Sequence, residues 1–346
     1  MAAAAGIAFL ALGWSLAGCD DNITNSPIGA VNAPITWTEI AEGISPFNAI
    51  AFGGGKFVAV GNGEQIGWEW HAGKVRSSPD GITWTPYTAP LAEYLFYASN
   101  VKGISYGGDR FVAVGDGGIN FKSAYSTDGT TWTASGTPPG YFNKYGAVFY
   151  GGSSGHEKFI IGNGKYTIDG TTWQGSHFIY SDKLVYGAGK WVSINTSPSI
   201  SIRISDDEGE TWGRNLYPLR TGSAVLTSCE AVVYGGKENS EKFVIAGNYE
   251  DDNGNAAGMT AYSTTGETWT VKEAPQWKSA NCIAYGGGKF VMFAVDGNWA
   301  YSEDGITWNA GKKLSGEYKA ITYGNNRFVA VGSNGKIAYS NILAFP

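Results

Sequence analysis

The chain has 346 residues, of which 51 are glycine; 14% of all residues are aromatic and 16% are charged. This aromatic content excludes collagen and a disordered linker, and glycine costs about 1 kcal/mol per helix position relative to alanine, which argues against a helical fold. The net charge of −6 and the pI near 5.2 leave no basic surface for binding nucleic acid. The composition therefore favours an all-β protein with many tight turns.

The N-terminal residues predict a targeting segment. Residues 2–17 form an uncharged apolar run that is too short for a comfortable membrane span, and no Lys or Arg precedes it. The run leads to Leu16-Ala17-Gly18-Cys19, which resembles the bacterial lipobox. The resemblance implies a signal peptide over residues 1–18, lipid on Cys19 and a tether over residues 19–34, with a domain over residues 35–346 in the cell envelope, facing the periplasm or the exterior. The alternative is a plain secretory signal with an incidental cysteine.

Seven copies of one strand pair follow. In each copy a branched aliphatic residue stands two positions before an aromatic anchor, and a basic residue followed by an aromatic opens the next strand. A period of two indicates a strand with one well-packed face. The anchors are Phe52, Tyr106, Tyr150, Tyr186, Tyr234, Tyr285 and Tyr323. Their spacing, from 36 residues (Tyr150 to Tyr186) to 54 residues (Phe52 to Tyr106), is near the blade period of β-propellers.

Six copies also carry a motif of the form Ser-x-Asp-Gly-x-Thr-Trp, as in residues 78–84. It resembles the Asp-box, or BNR repeat, of sialidases, sortilin-type receptors and photosystem-assembly propellers, mostly in a variant shortened by one residue. Five copies keep the aspartate: Asp80, Asp128, Asp169, Asp207 and Asp304. We interpret the motif as structural, because Asp-Gly favours a two-residue hairpin turn, the carboxylate accepts backbone N–H bonds and the Trp packs under the turn. Catalytic aspartates or calcium ligands are the alternative.

Each unit therefore predicts four strands, a to d, with the Asp-Gly turn between c and d. The seventh unit ends after strand c at residues 339–340, and the N-terminal segment Ile35-Thr36-Trp37-Thr38 matches the missing strand d. This predicts an all-β, seven-bladed β-propeller of four-stranded antiparallel blades, with the last blade closed by the N-terminal strand. Loops a–b and c–d share one face, which we call the turn face, and loops b–c and d–a share the opposite loop face.

The loop face is the predicted binding surface, because its loops are longer and richer in aromatic residues. The aromatic candidates for ligand contact are Trp68, Trp70, Tyr97, Tyr141 and Trp277, although each ring can instead pack its own loop down. Four residues before each anchor, a mostly polar ring is expected around the axis: Asn48, Lys102, Gly146, Asp182, Glu230, Asn281 and Lys319. This ring lines either a polar pocket or only a hydrated channel mouth.

Two classes of function remain open. The first is a non-catalytic binding or scaffolding propeller for a protein or a glycan, acting as a monomer and without a cofactor. The second is a glycoside hydrolase in which Asp182 and Glu230, at equivalent positions of neighbouring blades, form a pair of catalytic carboxylates. Sialidase chemistry, which the Asp-box resemblance would imply, is not carried over, because the chain has no Arg-Ile-Pro string and no candidate arginine cluster.

Other chemistry-bearing residues are sparse. The three histidines give no zinc spacing, and no metal site is predicted. The acidic residues of segment 250–255 are either a calcium site or a solvated loop. Cys229 and Cys282 are either a disulfide, which the envelope compartment permits, or two thiols.

Overall fold

The computed structural model shows seven antiparallel sheets arranged as a seven-bladed β-propeller, as the sequence predicts. Strand a lies nearest the axis in each sheet and contacts strand a of the neighbouring blades. The structure describes residues 34–41, 43, 45–66, 70–86, 100–117, 120–136, 147–162, 164–175, 179, 181, 183–195, 200–213, 220–221, 224–250, 256–274, 277 and 279–343.

The first three blades follow one another along the chain. Blade 1 consists of β2 (Phe47–Gly53), β3 (Lys56–Ile66), β4 (Trp70–Ser78) and β5 (Thr85–Pro86). Blade 2 consists of β6 (Asn100–Gly107), β7 (Arg110–Gly117), β8 (Asn120–Ser126) and β9 (Thr133–Ala134). Blade 3 consists of β10 (Val148–Gly151), β11 (Lys158–Ile161) and β12 (Tyr166–Thr167), with a bridge from Tyr166 to Gln174 in place of a longer strand d.

The next three blades differ in the length of their strands. Blade 4 consists of β13 (Lys183–Gly187), β14 (Lys190–Asn195) and β15 (Ser201–Ser205). Blade 5 consists of β16 (Arg220–Thr221), β17 (Ala224–Gly235), β18 (Lys242–Glu250), β19 (Ala256–Ser263) and β20 (Thr270–Ala274). Blade 6 consists of β21 (Ala280–Gly286), β22 (Lys289–Ala294), β23 (Trp299–Ser302) and β24 (Asn309–Ala310). The ladder between β17 and β18 reaches Val225 and Glu250, so blade 5 has the longest strand a of the described blades.

Blade 7 joins the two ends of the chain. It consists of β25 (Tyr318–Gly324), β26 (Arg327–Gly332), the 3₁₀ turn Ser333–Gly335, β27 (Lys336–Ser340) and β1 (Trp37–Ala41). β1 pairs antiparallel with β27, with Trp37 opposite Ser340 and Ala41 opposite Lys336. The predicted closure by the N-terminal strand is therefore confirmed, although the ladder begins at Trp37 because Ile35 is buried in an apolar cluster.

A carboxylate on the closing strand fixes it to the preceding loop. Glu39 accepts hydrogen bonds from the Ser315 main-chain N–H (3.0 Å) and from the Tyr318 hydroxyl (2.6 Å). Partial burial would raise the pKa of Glu39, but these hydrogen bonds outweigh it and hold the pKa below its ordinary value. The closing strand is thus tied down by side chains as well as by its ladder.

The core lies between the blades rather than in one central mass. Seven buried clusters are found in the described residues, formed chiefly by the facing sides of adjacent blades. Between blades 1 and 2, for example, Val58 and Val60 pack with Phe111 and Ala113. Both faces of each sheet are covered in this way, so strand b is a continuous apolar run, as in Phe57 to Val60.

The aromatic anchors form a closed ring, each packed on a glycine of the preceding blade. A Cβ added to Gly53 would lie 2.0 Å from the ring of Tyr106, and one added to Gly324 would lie 2.1 Å from the ring of Phe52. The full set of pairs is Gly53–Tyr106, Gly107–Tyr150, Gly151–Tyr186, Gly187–Tyr234, Gly235–Tyr285, Gly286–Tyr323 and Gly324–Phe52. No other residue type fits at these glycines, which accounts for part of the glycine excess.

Candidate ligand-binding site

The Asp-Gly turns of the turn face are hydrogen-bonded through two side chains. The carboxylate of Asp128 accepts bonds from the main-chain N–H groups of Thr130 (2.7 Å) and Thr131 (2.6 Å). The hydroxyl of Ser126 donates to Asp128 (3.0 Å) and accepts from the Gly129 N–H (2.8 Å). The strand c to d connection therefore spans residues 127–132, and the predicted two-residue hairpin is wrong, because these side chains bond the N–H groups of a wider turn.

The same bonds keep the five turn aspartates ionised. Partial burial would raise the pKa of Asp80, Asp207 and Asp304, but main-chain and hydroxyl donors outweigh it and lower the pKa, to about 2 for Asp207. At Asp169 the hydroxyl of Thr171 is the largest cause of a lowered pKa, and at Asp128 main-chain donors overcome burial. A carboxylate held so firmly in its ionised form is unsuited to act as a general acid at neutral pH.

The basic residues that open strand b join neighbouring blades on this face. Lys56 of blade 1 donates to the main-chain oxygen of Asp128 in blade 2 (3.0 Å), and Lys242 of blade 5 donates to that of Asp304 in blade 6 (2.8 Å). The turn glycine also approaches the preceding blade, since a Cβ on Gly129 would lie 2.8 Å from Val58. These polar groups of the turn face are thus used by the fold itself.

On the loop face, strand a contains a β-bulge in five blades. The register shifts between Phe47 and Ala49 in blade 1, and at the corresponding place in blades 2, 5, 6 and 7. The extra residue in each bulge is a predicted ring residue: Asn48, Lys102, Glu230, Asn281 and Lys319. A bulge re-aims a side chain and is frequent next to functional sites. Spacing from the anchor thus finds the ring in these five blades.

Two of the ring residues are used to connect blades. The amide nitrogen of Asn48 donates to the Val101 main-chain oxygen (2.9 Å) in blade 2 and to the side-chain oxygen of Asn62 (2.7 Å). The amide nitrogen of Asn281 donates in the same way to the Tyr318 main-chain oxygen (2.7 Å) in blade 7. Because each satisfies a carbonyl at the next bulge, Asn48 and Asn281 have a structural role.

A cavity of about 330 Å³ lies on the axis inside this ring. Its lining includes five of the predicted ring residues and adds Lys183, which the ring prediction missed. Lys183 opens β13 opposite Ile194, where the other blades carry a small residue such as Ala49. The residue predicted for blade 4, Asp182, lies outside the described residues. The sequence pattern did contain this information, since Lys183 is the one exception among small residues at that position.

Three lysines and one glutamate supply the charge of the cavity lining: Lys102, Lys183, Lys319 and Glu230. In the described part of the chain, no hydrogen bond or ion pair involves the side chains of Lys183, Lys319 or Glu230, all of which are partly buried. Burial raises the pKa of the nearby Cys282 thiol to about 12, although a main-chain bond from Phe293 and the Lys183 ammonium oppose the rise. The described lining is therefore positive in sum, and the side chains of Lys183, Lys319 and Glu230 make no hydrogen bond or ion pair within the described residues.

Below the polar ring lies an apolar girdle of seven branched aliphatic side chains, two residues before each anchor. Its members are Ile50, Ile104, Val148, Leu184, Val232, Ile283 and Ile321. Five of them, all except Val148 and Leu184, also line a second axial cavity of about 150 Å³. The axial cavity thus has a charged rim and an apolar wall.

The predicted aromatic contacts are only partly described by the structure. Trp68, Tyr97, Tyr141, Gly146, Asp182 and Cys19 lie outside the described residues. The backbone of Trp70 opens β4, opposite Ile66. Trp277 is 4% exposed and packs edge to face against Trp308 at 6.4 Å, between blades 5 and 6. Trp277 therefore belongs to the packing between blades.

The remaining candidate groups add no further chemistry to the cavity. Cys229 and Cys282 are free buried thiols in two different apolar clusters, so the structure contains no disulfide between them. Over the described ranges, no group of three or more His, Cys, Asp or Glu residues is placed to hold a metal ion, and residues 251–255 lie outside those ranges. Within the same ranges, no helix has the length and hydropathy of a membrane span.

Comparison with known proteins places the chain by its fold. Neither a protein-family model nor a curated protein matches it. It is similar to the structure of YCF48 bound to D1 peptide, at 17% identity and a TM-score of 0.64 over 89% of this chain and 98% of that one. YCF48 from Cyanidioschyzon merolae is 16% identical, with a TM-score of 0.58 over 88% of this chain and 98% of that one. Virginiamycin B lyase from Staphylococcus aureus is 14% identical, with a TM-score of 0.62 over 89% of this chain and 99% of that one. At these identities the likeness shows the fold alone, a seven-bladed β-propeller.

Proposed function

We propose that this chain is a non-catalytic binding or scaffolding propeller that presents its loop face to a protein or glycan partner. The observation that carries the proposal is the contrast in how charges are used. On the turn face, aspartate carboxylates and lysine ammonium groups bond to the fold, whereas Lys183, Lys319 and Glu230 at the axial cavity bond to no described residue. Charged side chains gathered in a cleft without a partner in the fold are candidates for ligand contact.

The structural neighbours support a binding role without specifying the ligand. One of them, YCF48, has been solved with a D1 peptide bound, so a propeller of this shape can hold a peptide. Virginiamycin B lyase has an enzyme's name on a similar fold, so the fold alone does not decide between the two classes. In the described part of the cavity lining, Glu230 is the one carboxylate. The paired carboxylates of a glycoside hydrolase, Asp182 and Glu230, therefore stay a prediction.

The proposal includes anchoring through lipid on Cys19, followed by the tether over residues 19–34. Trp37, the first residue of β1, pairs with Ser340 at the turn-face end of strand c. A tether that enters β1 there leaves the propeller from the turn face. Lipid attachment would then bring the turn face nearest the membrane and leave the loop face directed outward. The proposed binding surface is thus the one that anchoring leaves accessible.

Anchoring is tested by metabolic labelling with palmitate in a bacterial host that expresses the full chain. The expected result is that the chain is labelled and sediments with membranes, whereas the Cys19→Ser variant is unlabelled. Labelling that survives Cys19→Ser would contradict lipid attachment at this residue. Absence of label from both chains would favour a plain secretory signal.

Partner binding is tested with the full chain purified in detergent, by quantitative capture from an envelope extract and on a glycan array. Lys319→Glu reverses a charge at the cavity rim, and Lys237→Glu makes the same change at an exposed site in the a–b loop of the turn face. We expect Lys319→Glu to remove bound partners and Lys237→Glu to keep them. Equal capture by both variants would overturn the proposal, and Glu230-dependent turnover on the glycans would favour the hydrolase.

A further inference from the structure

The axial cavity, whose rim carries the charges on which the proposed function rests, also has the dimensions of a small-molecule site. At about 330 Å³ its volume is at the lower end of ligand pockets, which suits a compact molecule or one end of a longer one. The cavity is open at the rim, where the ring residues stand, and its wall below is the aliphatic girdle. A ligand that fills it must therefore be polar at one end and apolar at the other.

The positions of the charges define the polar end. Lys319 of blade 7 and Lys102 of blade 2 stand on either side of Asn48 of blade 1, and Lys183 of blade 4 faces them across the axis. Positive groups that converge in a concave site raise the local concentration of anions. Glu230 stands next to Lys183 in blade order, but no ion pair joins them, so it does not neutralise the lysine. The chemistry selects an anionic headgroup.

The girdle defines the other end. Ile50, Ile104 and Ile321 are each less than 10% exposed and line the cavity directly below the rim lysines. Water forms no hydrogen bonds with such a wall, whereas an apolar group that is buried against it contributes about 0.8 kcal/mol of binding free energy per methylene. An inorganic anion leaves this wall unused, and an alkyl or aryl anion covers it.

We propose that the axial cavity binds a small organic anion, with a phosphate or carboxylate headgroup held by Lys102, Lys183 and Lys319 and an apolar body against the girdle. This inference rests on the proposed function, because the same rim charges carry both, but its test is separate, since titration with a small anion needs no protein or glycan partner. Glu230 disfavours a ligand that carries negative charge alone, and it can accept a hydrogen bond from a hydroxyl or amine on the natural ligand.

The test uses the full chain in detergent at low ionic strength, titrated in a calorimeter with three probes. These are inorganic phosphate (charge only), butyl phosphate (charge with an apolar body) and triethyl phosphate (no charge). We expect butyl phosphate to bind about tenfold more tightly than inorganic phosphate, and triethyl phosphate not to bind. Equal affinity for the two phosphates would overturn the apolar half of the proposal. No binding of either would leave a hydrated channel mouth and overturn the proposal entirely.

Three variants locate the binding. We expect Lys319→Gln to lower the affinity for butyl phosphate about tenfold and Glu230→Gln to raise it several-fold. The matched change on the turn face, Lys237→Gln, should leave this affinity unaltered. Without any anion, Lys319→Gln should also raise the midpoint of thermal unfolding, because it removes repulsion among the rim lysines. That second readout distinguishes a lost site from a damaged fold. Binding unaffected by both Lys319→Gln and Glu230→Gln would place the anion elsewhere and contradict the proposal.

Discussion

The turn face and the loop face are built from the same seven repeats, but their charged residues have different surroundings. On the turn face, Asp128 accepts two main-chain N–H bonds, and Lys56 of the preceding blade bonds to the main chain of the same turn. On the loop face, Lys183 and Lys319 stand at the edge of a cavity with no bond to a described residue. These charged residues of the turn face therefore hold blades together, whereas Lys183 and Lys319 of the loop face are not used in that way.

The difference shows how a repeat can be used to separate structure from function within one chain. The turn positions carry nearly the same residues in six units, and in four of these turns the aspartate accepts the same two main-chain N–H bonds. The bulge position changes from amide to ammonium to carboxylate between blades, although the backbone there is the same. A position whose geometry repeats while its chemistry varies is a candidate for ligand contact.

The largest expected effect comes from the axial packing, on which both faces depend. Gly324→Ala places a methyl group about 2.1 Å from the ring of Phe52, which is almost fully buried, between blades 7 and 1. We expect a loss of about 3 kcal/mol in the free energy of unfolding, measured by urea denaturation. Gly213→Ala is the control, because its nearest neighbour would lie 3.4 Å away and its backbone φ is not positive. Equal losses in the two variants would contradict the packing argument.

Removing a turn carboxylate tests whether the turn face is structural. Asp128→Ala leaves the Thr130 and Thr131 N–H groups without their acceptor. We expect the free energy of unfolding, measured by urea denaturation, to fall by about 2 kcal/mol. Lys319→Gln, a change of charge on the loop face, should cost no stability. If Lys319→Gln were the more destabilising of the two, the contrast between the faces would be wrong.

Acid should weaken the turn face through its aspartates. Since the pKa of Asp207 is about 2 in the folded chain and near 3.8 in the unfolded one, its contribution is present above pH 4 and is lost as the pH falls toward 2. Thermal unfolding followed from about pH 5 to about pH 2 should show a steep loss in the wild-type chain and a shallower one in Asp207→Asn. Parallel losses in both chains would show that this carboxylate is not linked to folding.

The smallest expected effect is an increase in the free energy of unfolding. In blade 5, Thr265 stands where the other turns have aspartate, and its hydroxyl accepts one bond, from the Glu267 N–H at 3.2 Å. Thr265→Asp should supply the second acceptor contact seen at Asp128 and stabilise the chain by about 0.5 kcal/mol. Thr264→Asp adds the same charge one residue earlier and should bring no gain. A gain from both substitutions would attribute the effect to charge rather than to the turn.

The architecture could be predicted from the sequence because it is carried by local, repeated residues. The anchors and the following glycines indicate seven inner strands, and Trp37 near the N-terminus matches the strand that blade 7 lacks. The turn geometry was predicted less well, because Asp-Gly alone suggests a tight hairpin, whereas the Ser126 hydroxyl and the Asp128 carboxylate together hold a wider turn.

The candidate site could be predicted only in part, because an extra residue in a strand has no clear sequence signature. Counting back four residues from the anchor finds a cavity residue in the five blades with a bulge. In blade 4 it gives Asp182, which lies outside the described residues, and it does not give Lys183, which lines the cavity. A glycine near the end of strand b is the one trace that the bulge leaves in the sequence of blades 1 and 7. A Cβ on Gly61 or Gly332 would lie within 2.1 Å of a main-chain oxygen next to the bulge. For Trp277 the sequence left ligand contact and packing both open, and the structure shows packing, because burial between blades depends on the neighbouring repeat.

The pairing of β1 with β27 also sets an order of events. β1 is synthesised before the other strands of the propeller, and its partner strand, Lys336–Ser340, is synthesised after them. Until then blade 7 has an open edge, and the Phe52 ring of blade 1 has no Gly324 on which to pack. The ring of blades therefore cannot close until the strand Lys336–Ser340 has been made, and β1 has no partner strand before then, which leaves an unpaired strand edge in the growing chain.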